Sequence, residues 1–448
     1  MKERSLKNIL IFPVRMAWRV FSRTATAVLL PFSGLVWVGR LLWHWREIRH
    51  ADVVVLMTSP TSFGHTVMGP DAVRRMHPGK RCVFLIASWR HEYNPVVKDL
   101  WSDIRVIFMP RFMITIARNH RVIALPFLKI HDRMAKWLTG KVIRSLAGSN
   151  VVYCGLLELY RDMIVKEGVD KIFPVGARAW GGSFEQTAAL TTLQASIFAP
   201  PIRLPELKRK DIQERLAQAW RRSGRKGPAK YCCPYLRHEK RDAPFARTRN
   251  GSDVKRHLPA ISLLNENGYQ VLLTGDHEID PDSRSDAEGG LVDGKNIGVN
   301  SNIFQLYAAT EADILMGNNG AGICPGFGPG KPKLLLDWYP FYSGMSNSWV
   351  YFKDAVDWEG KAIPGQRIFT ELLHKNPNEY GDLRNMSGEE ILAAVADFID
   401  DVANPGRPDP HADIARLLPA DSIFHYVGAR LSPAWVKQNA MQSNPIRF

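Results

Sequence analysis

The residues best suited to chemistry lie in a glycine- and amide-rich turn. It follows the short apolar segment 314–316 and consists of Gly317, Asn318, Asn319, Gly320, Ala321 and Gly322. Glycines let a backbone approach a ligand closely, and the free N–H groups of a helix start bind phosphate groups. The turn therefore predicts a diphosphate site at the start of a helix. A tight turn that only packs a helix against a sheet is the alternative.

A second candidate group is the guanidinium of Arg237, which follows the apolar segment 231–236. That segment has the composition of a buried strand. A guanidinium at the carboxyl end of a strand is well shaped for bidentate contact with a phosphate. The sequence therefore predicts that Arg237 binds a diphosphate, with a plain surface arginine as the alternative reading.

The elements that position these residues alternate between apolar strands and amphipathic helices. Segments 53–57, 81–87, 106–109 and 150–153 read as strands in the first half, and 269–273 and 333–336 in the second. Such alternation is typical of α/β domains with parallel sheets. A chain of 448 residues is expected to form more than one domain. We predict a basic, apolar helical segment (1–50), a first Rossmann-like domain (51–205), a basic linker (206–229), a second Rossmann-like domain (230–430) and a returning C-terminal helix (431–448).

Composition limits the partners of this chain. Lys and Arg number 59 against 44 Asp and Glu, which gives a net charge of +15. That balance suits phosphorylated substrates, an anionic membrane or nucleic acid. No zinc-finger spacing or aromatic RNA-binding motif is present, so we predict no nucleic-acid partner. The five cysteines show no metal-ligand spacing, and buried free thiols in a reducing compartment are expected.

The N-terminal segment carries an uncharged run, 24–39, between two basic flanks. A membrane-spanning helix needs about 20 apolar residues and usually has one basic side. We therefore predict an interfacial or re-entrant anchor, with Trp37, Trp43 and Trp45 at the level of the lipid headgroups. A secretory signal peptide and a buried helical hairpin are the alternatives. The expected location is the cytoplasmic side of the inner membrane, as a peripheral or monotopic protein.

The second half of the chain resembles a family of bacterial surface-polysaccharide glycosyltransferases of the GT-B type, and its donor half resembles heptosyltransferase-like enzymes. The resemblance lies in YCCPYLR (231–237), DVKRHLPAISLLNENGYQVLLTG (253–275) and residues 317–332. It covers roughly half of the chain. It implies an α/β protein with two Rossmann-like domains facing each other across a cleft, which bind a nucleotide-sugar and its acceptor.

The resemblance also assigns roles to residues. On the donor side it places Arg237 and the 317–322 turn on the diphosphate, and Thr274, Gly275, Asn302 and Asp337 near the nucleoside or the sugar, although Asp337 could instead be structural. On the acceptor side it places the loop 58–66, where His65 is the candidate general base, with helix capping or a bond to a backbone carbonyl as the alternative role of His65. Heptosyltransferase-like members carry Asp after the glycine of this loop, whereas Gly64 is followed here by His65. Asp71 and Glu92 are weaker candidates for the base, and Gly64, Glu92 and Arg118 are the acceptor-side candidates.

The function that follows is transfer of a sugar from a nucleotide-sugar to a surface glycan or a lipid-linked acceptor. Asp280-Pro281-Asp282 superficially fits an Asp-x-Asp metal motif, but proline and serine around it indicate an exposed turn. We therefore predict no metal and no cofactor, with the leaving diphosphate stabilised by Arg237 and the helix start. A nucleotide-sugar epimerase with the same fold and a catalytically silent membrane-bound scaffold are the alternatives.

Overall fold

The structure is a computed structural model. It describes residues 31–57, 63–87, 104–109, 133–145, 151–166, 204–237, 250–251, 253–275, 290–318, 330–373, 375 and 379–439. The chain divides into two compact units: Met1–Pro95 and Trp101–Leu159 form the first, and Val96–Leu100 and Tyr160–Phe448 form the second. Each unit is built on a parallel sheet, as the alternation of strands and helices predicts.

The sheet of the first unit contains β1 (Val53–Met57), β2 (Cys82–Ala87), β3 (Arg105–Met109) and β4 (Val151–Tyr153). The strands are parallel, in the order β3-β2-β1-β4. The chain therefore leaves β1 first to one side and later returns to the other, which makes β1/β4 the topological switch point of this sheet. All five side chains of β1 are buried, as expected for a parallel strand covered on both faces.

Helices cover this sheet. Residues 31–43 form α1, which is followed by α2 (Trp45–Arg49), α3 (Phe63–Met76), α4 (133–145) and α5 (Leu156–Lys166). Trp37, Leu41 and Ile48 from α1 and α2 join Ala135 and Ile143 of α4 in one core. On the sheet side, this core consists of alternate residues of the strands: Val54, Leu56, Val83, Leu85, Ile107, Met109 and Val152.

Two predictions for this region are wrong in detail. Trp37, predicted to contact lipid headgroups, is fully buried, and its indole Nε1 donates to Thr139 Oγ1 at 3.1 Å. The uncharged run is thus partly a core helix, because its small and apolar residues face α4. The loop after β1 was predicted to span residues 58–66. It ends before Phe63, because α3 begins at Phe63 and contains Gly64 and His65.

The second unit begins with α6 (Glu206–Arg222) and continues with β5 (Lys230–Leu236), α7 (Val254–Glu266), β6 (Tyr269–Leu272), β7 (Thr274–Gly275), β8 (Leu291–Val292), α8 (Ser301–Glu311), β9 (Ile314–Gly317), β10 (Lys333–Trp338) and β11 (Ser348–Phe352). The predicted basic linker contains α6, which packs on this unit. Its Ile212, Leu216 and Trp220 are buried, and Arg209 forms an ion pair with Glu311 of α8 at 3.0 Å.

The remaining elements close the unit. They are β12 (Asp354–Val356), a helical turn at Gly365–Arg367 that continues as a π-helical turn at Ile368–Leu372, β13 (Asp382–Arg384), α9 (Gly388–Ala403), α10 (Ala412–Ala415), α11 (Ile423–Tyr426), β14 (Arg430–Leu431) and α12 (Pro433–Gln438). A capping box starts α9: the Ser387 hydroxyl accepts from Glu390 N, and the Glu390 carboxylate accepts from Ser387 N. The C-terminal helix α12 packs on α9 and β11 of its own unit. Trp435 stacks on Phe369, which anchors α12 there.

The large sheet has the strand order β14-β11-β10-β9-β5-β6-β8, with β7 also paired to β5. Its pairings are parallel. The chain begins at β5, moves through β6 to β8, and then crosses back to β9 and β10. The direction of winding therefore reverses between β5 and β9. In open α/β sheets, ligands bind outside the carboxyl ends of the strands at such a reversal.

Candidate functional site

The carboxyl edge of the large sheet brings together polar residues from four adjacent strands. Arg237 follows β5, Asn318 follows β9, Asp337 lies near the end of β10, and Lys353 follows β11. These strands are neighbours in the order β5-β9-β10-β11. Because parallel strands end at one edge, the four residues form a row across the reversal point. Arg237 is partly exposed, and the other three are buried.

Glycine makes the close approach of the strand ends at β5 possible. Gly275 and Gly317 flank β5 with φ angles of 109° and 133°. A Cβ atom on Gly275 would lie 2.1 Å from the carbonyl oxygen of Leu236, and one on Gly317 would lie 2.2 Å from that of Tyr235. Both residues were predicted to contact a ligand. The structure shows that each also has a packing role, because only glycine fits against the β5 backbone there.

Asn318 holds the backbone of Arg237. Its side-chain Oδ1 accepts from Arg237 N at 2.9 Å, and its Nδ2 donates to Arg237 O at 3.3 Å. Its own backbone N–H donates to Tyr235 O at 3.2 Å. The amide that was predicted to contact a diphosphate is therefore engaged with the chain at Arg237. Asn318 thus fixes the point at which the arginine side chain leaves the sheet.

Asp337 has a structural environment. It is 1% exposed, has a φ of 50°, and its Oδ1 accepts from Met386 N at 2.7 Å. Of the two readings kept open for this residue, sugar contact or a structural role, these contacts favour the structural one. The bond joins the end of β10 to the segment that leads into α9.

Thr274 and Asn302, predicted near the nucleoside, both lie at this edge of the sheet. Thr274 is buried, and its hydroxyl donates to Pro234 O at 2.9 Å, which ties β7 to β5. Asn302 lies in the first turn of α8 and is half-buried. The capping residue of that helix is Asn300, whose Oδ1 accepts from Asn302 N at 3.0 Å. The chain runs from the carboxyl end of β8 into α8 and from α8 into the amino end of β9, so the N-terminal turn of α8 lies on the carboxyl side of the sheet.

Lys353 was missed by the sequence reasoning. It is fully buried, and its ammonium group donates to Asn250 O and Asn385 Oδ1. Burial lowers the pKa of Lys353, and the nearby carboxylates of Asp337 and Asp382 oppose that shift. A lysine directly after five buried strand residues, SWVYF, is the signal that could have pointed to it.

The cysteines near this site are structural. Cys232 and Cys233 of β5 are buried, and burial raises the pKa of both thiols, that of Cys233 to about 12. Both groups are therefore neutral thiols at physiological pH. This agrees with the buried free thiols expected from the sequence.

In the first unit, the switch point leads from β1 into α3. The backbone of Gly64 and His65 is placed in the first turn of that helix. Asp71, the weaker base candidate, is largely buried in α3 and forms an ion pair with Arg75 at 2.6 Å. Burial raises the pKa of Asp71 to about 6. The carboxyl group of Asp71 is therefore largely shielded from solvent and paired with Arg75 of the same helix.

Several candidates lie outside the described residues. They are Glu92, Arg118, Asn319, Gly320, Ala321 and Gly322, together with the Asp280-Pro281-Asp282 turn. The role of the His65 side chain likewise stays a prediction.

Neither protein-family models nor curated protein sequences match this chain. Solved structures to which this chain is similar include the glycosyl transferase family 9 protein from Veillonella parvula, at 12% identity and a TM-score of 0.41, covering 79% of this chain and 98% of that one. Another is ADP-heptose lps heptosyltransferase II from E. coli, at 10% identity and a TM-score of 0.36, covering 78% and 99%. A third is UDP-GlcNAc 2-epimerase from Neisseria meningitidis, at 10% identity and a TM-score of 0.30, covering 63% and 81%. The first is named as a glycosyl transferase and the second as a heptosyltransferase.

Proposed function

We propose that this chain is a glycosyltransferase that moves a sugar from a nucleotide-sugar to a surface-glycan or lipid-linked acceptor. The observation that carries the proposal is the position of Arg237. Its partly exposed side chain follows the strand at which the winding of the large sheet reverses. A fork of N–H donors at that point is suited to the diphosphate of a nucleotide-sugar.

In the proposed reaction, the bond between the anomeric carbon and the diphosphate oxygen breaks while the acceptor oxygen bonds to that carbon. Arg237 binds the diphosphate and balances the charge that develops on it as it leaves. The turn after β9 supplies backbone N–H groups to the same phosphates. His65 takes the proton from the acceptor hydroxyl. With Arg237 in that role, the reaction proceeds without a metal or a cofactor.

We also propose that the enzyme works on an anionic membrane surface, at its cytoplasmic side. The outer face of α1 is apolar: Phe32 is 54% exposed, Leu35 72%, Leu42 53% and Trp43 80%. On α4, which contacts α1, Trp137 is 61% exposed. Among the described residues, no helix is long and apolar enough to cross a membrane.

Charge complementarity selects lipid headgroups as the partner of this surface. Residues 31–50 and 133–145 carry seven Arg and Lys side chains and a single acidic one, Glu47. Glu47 is already engaged with Arg105, which lowers the pKa of that carboxyl to about 2. Exposed tryptophans beside basic side chains are typical of protein surfaces that lie at the headgroup level. The exposed surface of α1 and α4 thus forms a basic aromatic face.

Activity is tested by incubating the purified full chain with labelled nucleotide-sugars and a bacterial membrane fraction, in the presence of a chelator. Transfer of label into the glycan or lipid fraction, lost on Arg237→Ala, is the expected result. Conversion of the nucleotide-sugar to an epimer without transfer would instead assign an epimerase. If neither reaction occurs with any donor while the chain still binds membranes, the scaffold reading replaces the enzyme.

A further inference from the structure

The backbone at Arg237 is held from two sides. Asn318 bonds its N–H and its carbonyl group, and Gly251 N donates to the same carbonyl at 3.2 Å. Gly251 is pressed against the amide that does the holding, because a Cβ atom there would lie 2.5 Å from Asn318 Nδ2. Asn318 and Gly251 therefore both contact the backbone of Arg237, and they also contact each other. A shift of Gly251 would disturb both partners.

The position of Gly251 is fixed by Lys353. The ammonium group of Lys353 donates to the carbonyl oxygen of Asn250, the residue before Gly251. It also donates to Asn385 Oδ1. The next residue, Met386, is bonded through its N–H to Asp337 and through its carbonyl group to Arg256 of α7, at 2.7 and 3.0 Å. Lys353 thus connects the Asn250–Gly251 segment to a firmly held part of the unit.

A buried ammonium group is unfavourable unless its N–H groups are bonded, so a lysine at this place calls for a physical explanation. The same sheet contains a second fully buried lysine, Lys333, at the opposite end of β10. Its ammonium group donates to Lys331 O and Ser346 O, both at 2.7 Å. Lys333 therefore satisfies an equivalent structural demand at the amino edge of the sheet, whereas Arg237 lies at the carboxyl edge. Of these two lysines, Lys353 is the one that bonds Asn250, the residue before Gly251.

We propose that Lys353 is a positioning residue for diphosphate binding, which acts by holding Asn250–Gly251 against Asn318 and thereby fixing Arg237. This inference rests on the proposed function, because it gives Arg237 the diphosphate. Lys353 itself need not touch the substrate. Its removal is expected to weaken binding only through Arg237.

The test compares Lys353→Met with Lys333→Met in the full chain. Both changes replace a buried ammonium group by an apolar side chain of similar length. The first readout is amide hydrogen exchange, followed by mass spectrometry of peptides that contain Arg237 and Gly251. In K353M these amides are expected to exchange about tenfold faster than in wild type, whereas K333M leaves them protected. Asn385→Ala removes one hydrogen-bond partner of Lys353 and is expected to raise the same exchange rates by a smaller factor. It replaces K353M in the test if K353M does not fold.

The second readout is affinity for UDP, GDP, ADP and CMP, combined with Arg237→Ala in a double-mutant cycle. K353M is expected to weaken binding of the preferred nucleotide about tenfold, and to have no further effect in the Arg237→Ala background. Equal losses in both backgrounds would overturn the positioning role, as would unchanged exchange at Arg237 and Gly251 in a folded K353M protein. If wild type binds none of the nucleotides, the proposed function fails, and the exchange experiment still decides whether Lys353 fixes Arg237.

Discussion

At the scale of single residues, the two glycines beside β5 provide a direct test of how tightly the strand ends pack. Gly317→Ala would place a methyl group 2.2 Å from a backbone oxygen at a φ of 133°. We expect it to lower the free energy of unfolding by at least about 3 kcal/mol in urea titrations, because neither the strand nor the oxygen can move cheaply. Gly268→Ala is the matched control, since Gly268 has a φ of 82° with open space around it. It should cost only about 1 kcal/mol. Equal costs for the two variants would contradict the packing described at β5.

Asp71 gives a prediction for pH dependence at the same scale. Its pKa is raised from 3.8 to about 6 by burial, so the folded state binds a proton more tightly than the unfolded state. The stability from this group is complete below about pH 4 and is lost as pH rises through 6. Asp71→Asn removes that dependence. The stability of the variant relative to wild type should therefore increase by on the order of 3 kcal/mol between pH 4 and 7, as measured by denaturant midpoints. A difference that is constant with pH would show that Asp71 ionises normally.

At the scale of elements, helix α1 has a buried face and an exposed face, and each face carries a tryptophan. Trp37 is buried against α4, whereas Trp43 is 80% exposed. Trp37→Ala should lower the free energy of unfolding by about 3–5 kcal/mol, because it leaves a large cavity and an unpaired Thr139. Trp43→Ala should leave stability within about 0.5 kcal/mol of wild type but weaken binding to anionic vesicles in flotation assays. Undiminished vesicle binding by Trp43→Ala would remove Trp43 from the membrane contact.

The same elements show what the sequence could and could not predict. Strands such as β1 and β5 were recognisable because a strand buried on both faces is a continuous apolar run. The row of strand ends was partly recognisable, since Arg237, Asn318 and Asp337 follow such runs. Two features depend on partners distant in sequence: Trp37 bonds Thr139, 102 positions away, and Lys353 bonds Asn250, 103 positions away. Periodicity marks an apolar face without identifying its partner, and for Trp37 the partner is protein rather than lipid.

At the scale of the whole molecule, the net charge of +15 predicts how the protein responds to salt and lipid composition. Binding to vesicles should require anionic lipid and should weaken steeply as salt rises, because screening shortens the range of attraction to about 8 Å at physiological ionic strength. Reversing charge on the basic aromatic face, with Lys136→Glu and Lys141→Glu, should weaken vesicle binding even at low salt. Reversing the exposed Arg221 and Arg222 of α6 is the matched control. If the two double variants lose vesicle binding equally, the net charge, rather than this face, directs the attachment.

The central claim is that Arg237 binds the diphosphate of a nucleotide at the carboxyl edge of the large sheet. It is tested most directly by calorimetric titration of UDP, GDP, ADP and CMP into the full chain without metal. We expect one nucleotide to bind, and Arg237→Ala to weaken that binding by roughly 10- to 100-fold, as the loss of a charge-assisted contact implies. Arg237→Lys should recover only part of the affinity, because an ammonium group lacks the bidentate fork. Arg222→Ala, which removes one exposed positive charge from α6, should bind as wild type does. Binding that is equally tight in Arg237→Ala, or no binding of any of the four nucleotides to wild type, would contradict the claim.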